Sequence, residues 1–65
     1  MQIRVNGEVR DVAATTLAAL LSELEYEGQT VATAVNQSFV RAVDRAATPL
    51  AVGDAVEILV PKQGG

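Results

Sequence analysis

The sequence predicts an α+β fold in which one main helix lies across one face of a mixed sheet of four to five strands. Apolar residues alternate with polar ones near both ends of the chain, as they do in strands, but recur at helical spacing in between. A chain of 65 residues supports one domain. Because 49% of its residues are hydrophobic and only one Tyr and one Phe are present, we expect an aliphatic core.

The first twelve residues predict a β-hairpin. Ile3 and Val5 alternate with polar residues, and Asn6-Gly7 then supplies the pair of residues that a type I′ turn requires. A two-residue turn fixes the register, so Ile3 and Val5 face the same side of the hairpin. That face of the hairpin must therefore pack against apolar side chains from another part of the chain.

A helix is predicted next, with Thr15 or Thr16 as its N-cap and Gly28 as the left-handed residue after its last turn. Its apolar stripe repeats at i, i+3, i+4 and i+7 and comprises Leu17, Leu20, Leu21 and Leu24. Three acidic residues crowd the end of the helix, where the helix dipole disfavours them: Glu23, Glu25 and Glu27. We interpret them as a solvated face, with a partner contact as the alternative.

The second half of the chain predicts further strands. Val31–Val35 is typical of a buried strand, whose two alanines we expect to let the helix approach closely, and a turn leads from it to Phe39-Val40. Residues 41–48 predict an irregular or single-turn helical segment. Val56–Val60 predicts the final strand, which Pro61 ends.

This order of elements is the β-grasp layout, in which the first and last strands lie adjacent and parallel at the centre of the sheet. The sequence thus predicts a domain at residues 1–61 and a flexible tail at residues 62–65. The tail ends in Gly64-Gly65, which has no Cβ atoms to obstruct a narrow channel in another protein. The alternative interpretation of Gly64-Gly65 is a frayed chain end without a function.

Composition excludes several functions. The chain has no cysteine and no histidine, which removes disulfides, thiolate metal sites, cysteine nucleophiles and the usual general base. A net charge of −3 and a pI near 4.6 argue against nucleic-acid binding. No apolar run approaches the roughly 20 residues that cross a bilayer, and the first residues lack the pattern of a secretion signal, so we expect a cytoplasmic protein without membrane contact.

Other polar residues are weak candidates for a catalytic or metal-binding site. A nucleophile and base could be sought in Ser38 with Asp44, but no histidine is available to activate the hydroxyl. Two acidic pairs could suggest a divalent-ion site, Glu8 with Asp11 and Asp54 with Glu57, but solvated charges explain them better. We therefore predict no catalytic residue and no metal site.

Four segments together resemble the ThiS-type sulfur carriers of thiamine biosynthesis, which are ubiquitin-like proteins. They are Ile3-Arg4-Val5-Asn6-Gly7, Val31–Asn36, Leu50–Ile58 and Gly64-Gly65. The resemblance covers the whole chain. It implies that the Gly65 carboxylate is adenylated by a ubiquitin-activating-like enzyme that uses ATP and magnesium, while Gly64 and Gln63 thread into that enzyme.

The resemblance also implies the later partners. Sulfur from a cysteine desulfurase relay would convert Gly65 to a thiocarboxylate, which thiazole synthase would consume, and the carrier itself would bind no cofactor. We expect partners to dock on the sheet face that the helix leaves uncovered, at Leu59 and Phe39, although Phe39 is also a candidate for the core. A carrier of the molybdopterin pathway and a non-covalent ubiquitin-like interaction module remain as alternatives.

Overall fold

A computed structural model describes residues 1–61, which form five strands, one α-helix and one 3₁₀ helix. In chain order these are β1 (Gln2–Val5), β2 (Glu8–Asp11), α1 (Leu17–Glu23), β3 (Ala32–Val35), β4 (Ser38–Val40), the 3₁₀ helix (Ala42–Ala47) and β5 (Ala55–Leu59). The strands form one sheet in the order β2-β1-β5-β3-β4. Strands β1 and β5 are parallel, and the other neighbours are antiparallel. The predicted mixed sheet with one main helix and a central parallel pair is confirmed.

Both hairpins turn through two residues with positive φ. In the first, Asn6 and Gly7 have φ of 51° and 85°, and Val5 pairs with Glu8. In the second, Asn36 and Gln37 have φ of 49° and 71°. Positive φ at both central residues matches the right-handed twist of the flanking strands, which is why these turns suit hairpins.

Helix α1 covers one face of the sheet through its leucines. Leu17 and Leu20 are fully buried, and the Thr16 hydroxyl accepts a hydrogen bond from the Ala19 amide at 3.1 Å, which confirms the predicted N-cap. The core is aliphatic throughout and comprises Ile3, Val5, Val12, Ala14, Leu17, Leu20, Leu21, Val31, Leu50, Val56 and Ile58. The side chains of β1 and β5 that face α1 are thus buried, as their alternation predicted.

The helix ends earlier than predicted. Leu24 is its C-cap, and Glu25, with φ of 65°, takes the left-handed position assigned to Gly28. The Tyr26 amide donates to the Leu21 carbonyl at 2.8 Å and the Glu25 amide donates to the Ser22 carbonyl at 3.1 Å, the two bonds of a Schellman motif. This ending packs Tyr26 against the core, which compensates for a non-glycine residue at positive φ. Gly28 has φ of 80° in the following turn.

The alanines of β3 do not face the helix, so that prediction is wrong. Ala32 pairs with Leu59 of β5 and Ala34 pairs with Phe39 of β4, and these side chains share the face opposite α1. Thr33 points to the core instead and is 2% exposed. A buried hydroxyl is tolerated there because its hydrogen-bonding capacity is used.

Two contacts satisfy the Thr33 hydroxyl. It donates to the Val40 carbonyl at 2.8 Å and accepts from Nε of Arg45 at 3.1 Å. Arg45 belongs to the 3₁₀ helix, and its guanidinium also donates to the Val31 carbonyl at 2.7 Å. The segment predicted to be irregular or a single helical turn is therefore a six-residue 3₁₀ helix attached to β3.

Glu23 is exposed, as the predicted solvated acidic face requires, but its carboxylate also makes local hydrogen bonds. Its carboxylate accepts hydrogen bonds from the Ala13 amide at 3.1 Å and the Ala14 amide at 2.8 Å. These bonds hold the connection between β2 and α1 against the helix. Glu25 and Glu27 are exposed, as predicted. Across residues 1–61, no helix has both the length and the apolar character needed to span a bilayer.

Candidate functional site

The candidate site lies where β5 leads into the chain end. Val56 and Ile58 of β5 are buried beneath α1 at 1% and 3% exposure, which fixes the strand in the core. Gly65 lies six residues after Leu59, so an extended chain places it at most about 20 Å from the sheet. The predicted threading and reacting residues, Gln63, Gly64 and Gly65, lie outside the described residues, and their roles stay predictions. The same holds for the boundary between domain and tail.

Asn6 contacts β5 through both its backbone and its side chain. Its amide N–H donates to the Val56 carbonyl at 2.9 Å. Its side-chain Nδ2 donates to the Ile58 carbonyl at 3.1 Å, and its Oδ1 accepts from the Ile58 amide at 2.8 Å. A single side chain therefore pairs with both backbone groups of Ile58 that point towards β1.

Asn36 makes a similar contact at the other end of β5. Its Oδ1 accepts from the Ala55 amide at 3.0 Å, and its backbone N–H donates to the Ala55 carbonyl at 2.7 Å. Its Nδ2 donates to Asp54 at 3.0 Å. The sequence predicted turns at these positions but not the contacts that the two asparagine side chains make with β5. The missed signal is that each turn begins with Asn, whose amide can pair with a backbone as a peptide group does.

The sheet face opposite α1 is open in the described domain. Phe39 is 69% exposed and Leu59 is 64% exposed, so the alternative that places Phe39 in the core is wrong. Together with Ala32, Ala34 and Glu57 they line a shallow depression of about 100 Å³. We call this group of five residues the open-face patch. It includes Leu59, the last residue of β5, and its role in docking stays a prediction.

The other polar candidates take part in local contacts. Asp44 pairs with Arg41 at 3.1 Å, and Asp11 lies 3.3 Å from the N-terminal ammonium group. Asp54 accepts from the Ala51 amide at 2.8 Å and thereby closes the turn before β5. Within the described part of the chain, no three Asp or Glu side chains converge as metal ligands would. Local contacts and solvent therefore account for these acidic side chains.

Comparisons with known proteins agree with this architecture. The family model described as the ThiS family matches residues 3–65. A crystal structure of the thiamine biosynthesis protein ThiS from Geobacter metallireducens is 30% identical, with all of both chains covered and a TM-score of 0.84. A solution structure of a thiamine biosynthesis protein from the same organism is also 30% identical and covers all of this chain and 88% of that one, with a TM-score of 0.79. No curated protein matches the sequence significantly. The chain therefore belongs to the ThiS family, the sulfur carriers of thiamine biosynthesis that its sequence resembles.

Proposed function

We propose that this carrier works through the carboxylate of Gly65, which a ubiquitin-activating-like enzyme adenylates and a sulfur donor then converts to a thiocarboxylate. The observation that carries the proposal is the position of β5. It is the central strand of the sheet, bonded to β1 on one side and β3 on the other, and the diglycine follows it by a few residues. A reactive group on a short arm from a rigid strand can be aimed at a partner's active site.

The chemistry needs activation because an ionised carboxylate is a poor electrophile. A Gly65 oxygen attacks the α-phosphorus of ATP, pyrophosphate leaves, and an acyl adenylate forms. Sulfide then adds to the acyl carbon and AMP departs with the former carboxylate oxygen, leaving a thiocarboxylate. Magnesium belongs to the nucleotide in the activating enzyme, where it offsets the phosphate charge. The carrier supplies only the acyl group, which is compatible with a sequence that contains no cysteine and no histidine.

Membership in the ThiS family implies partner enzymes of thiamine biosynthesis. Within that pathway we assign three partners: the adenylating enzyme, a cysteine desulfurase relay as the source of sulfur, and thiazole synthase as the consumer of the thiocarboxylate. The match to the ThiS family favours this assignment over a molybdopterin-pathway carrier.

Mass spectrometry of the intact chain tests the reaction. Incubation with the adenylating enzyme of its own organism, ATP, magnesium and sulfide is expected to add about 16 Da, because one oxygen is exchanged for sulfur. Fragmentation should locate the added mass at Gly65. Omitting ATP is the control and should leave the mass unchanged. An unchanged mass in the complete mixture, with an adenylating enzyme that is active on a second sulfur carrier, would contradict the proposal.

We propose that the adenylating enzyme docks on the open-face patch. Two large apolar side chains, Phe39 and Leu59, are exposed there, and Leu59 is the last residue of β5. Clusters of exposed apolar side chains are typical of the centre of a protein interface. A docked partner would then lie next to the point where the tail begins.

Replacement of Phe39 tests this docking. Phe39→Ser is expected to raise the KM of the adenylating enzyme for the carrier by about tenfold or more, because an aromatic anchor is lost from the interface. Val43→Ser is the matched control, since Val43 is 78% exposed but lies on the 3₁₀ helix outside the sheet. Steady-state kinetics of pyrophosphate release measures both variants. Equal KM values for the two variants would show that Phe39 is not part of the interface.

A further inference from the structure

We propose that Asn6 is a positioning residue for the reacting chain end, because its side chain fixes the place and direction in which the chain leaves the sheet. The inference rests on the proposed function of Gly65. Asn6 lies at the tip of the first hairpin, far from Gly65 in sequence, and its hydrogen bonds to the last strand go to Val56 and Ile58, neither of which belongs to the open-face patch. It acts through β5.

The geometry starts from the end of β1. The parallel ladder between β1 and β5 has only two paired positions, Arg4 with Ala55 and Val5 with Val56. Beyond Val5 the chain turns away into the hairpin at Asn6-Gly7. The backbone groups of Ile58 that point towards β1 would then have no strand to pair with.

The Asn6 side chain provides Ile58 with the hydrogen bonds that a neighbouring strand would otherwise make. A carboxamide carries one carbonyl and one NH₂ group, so it can accept and donate side by side as a peptide group does. Its bonds to the Ile58 amide and carbonyl measure 2.8 and 3.1 Å. The ladder on the β1 side of β5 is thereby extended by one further residue pair towards the tail.

The opposite side of β5 is already paired to its end. Strand β3 bonds β5 from Val56 through Leu59, where Ala32 is the partner. With Asn6 in place, both edges of β5 are held as far as Ile58, and the strand itself ends at Leu59. Without the Asn6 side chain, the last part of β5 would be held along the β3 edge alone.

This difference changes the entropic cost of placing Gly65 in the active site of the adenylating enzyme. Fixing one backbone residue has an entropic cost equivalent to about tenfold in an equilibrium constant. When the end of β5 is held along one edge only, its additional freedom must be lost as the chain end enters the adenylating enzyme. Once bound, the arm has the same conformation in both cases, so we expect the cost to appear in KM and not in kcat.

Two matched variants separate positioning from stability. Asn6→Gly and Asn36→Gly both keep a residue suited to positive φ, and each removes an asparagine side chain that bonds β5. We expect Asn6→Gly to raise the KM of the adenylating enzyme for the carrier about tenfold with kcat unchanged. Asn36 contacts the start of β5, so Asn36→Gly should leave KM within about twofold of the wild type. The assays are run well below the unfolding midpoint of every variant.

Amide hydrogen exchange provides a readout that does not depend on the reaction. In Asn6→Gly, exchange of the Ile58 amide should accelerate by about tenfold or more while the Ala55 amide keeps its protection, and Asn36→Gly should give the reverse pattern. Equal KM values for the two variants, or unchanged exchange at Ile58 in Asn6→Gly, would overturn the positioning role. If the wild-type chain gains no sulfur, the proposed function of Gly65 fails, whereas the exchange pattern still decides whether Asn6 anchors β5.

Discussion

Leu20→Ala is expected to destabilise the domain by about 3 kcal/mol, since it removes a fully buried side chain from the contact between α1 and the sheet and leaves a cavity. A 65-residue domain has a total stability of only about 3–10 kcal/mol. The loss therefore consumes a large share of the free energy of unfolding. Urea denaturation followed by circular dichroism measures it as a lower midpoint.

Leu59→Ala is the matched control for this substitution. It removes the same atoms from a side chain that is 64% exposed on the opposite face of the sheet, so it should change the free energy of unfolding by no more than about 0.5 kcal/mol. Similar losses in the two variants would mean that the sheet is packed on both faces. That result would also remove the open-face patch as an accessible docking surface.

Removal of Gly65 is expected to lower the rate of thiocarboxylate formation by about a hundredfold or more, because misplacing a reacting atom by even 1 Å can cost that much. The shortened chain still ends in a carboxylate, that of Gly64, but this group lies one residue closer to the sheet, about 3.5 Å short of its required position. Intact mass measured over a time course gives the rate.

Stability provides the control for the truncation. The buried core extends from Ile3 to Ile58, so removing Gly65 should leave the unfolding midpoint unchanged. A truncated chain that acquires sulfur within about threefold of the wild-type rate would show that the last glycine is not the activated residue. A truncated chain that unfolds at lower temperature would instead assign the final residues a structural role.

The sequence predicted those parts of the fold that depend on local patterns. Alternation identified β1 and β5, helical spacing identified the buried face of α1, and Asn6-Gly7 identified the first turn. These features are predictable because each depends on residues that are close in sequence.

The errors came from choices that tertiary packing decides. The sequence offered Gly28 as the residue that ends α1, but Glu25 takes that position since this brings Tyr26 onto the core. Thr33 faces the core in place of the alanines beside it, because Val40 and Arg45 satisfy its hydroxyl. No local pattern shows that such partners will be available.

Only part of the candidate site could be predicted from the sequence. Its reacting group was inferred from the diglycine and the family resemblance, whereas the support by Asn6 was not. The hydrogen bonds between Asn6 and Ile58 join residues that are 52 positions apart. Contacts of that range follow from the topology of the sheet, which propensities and periodicity do not specify in atomic detail.

The central pairing of the first strand with the last also has a consequence for biosynthesis. A ribosome-bound chain that stops before Ala55 has the first hairpin and α1 but lacks the strand on which both halves of the sheet depend. Pairings between such distant segments form late and slowly, because a long loop must close before they contribute stability. We therefore expect the domain to fold only after Ala55–Leu59 has been synthesised. A nascent chain would then acquire its protease-resistant form only after its last strand has left the exit tunnel.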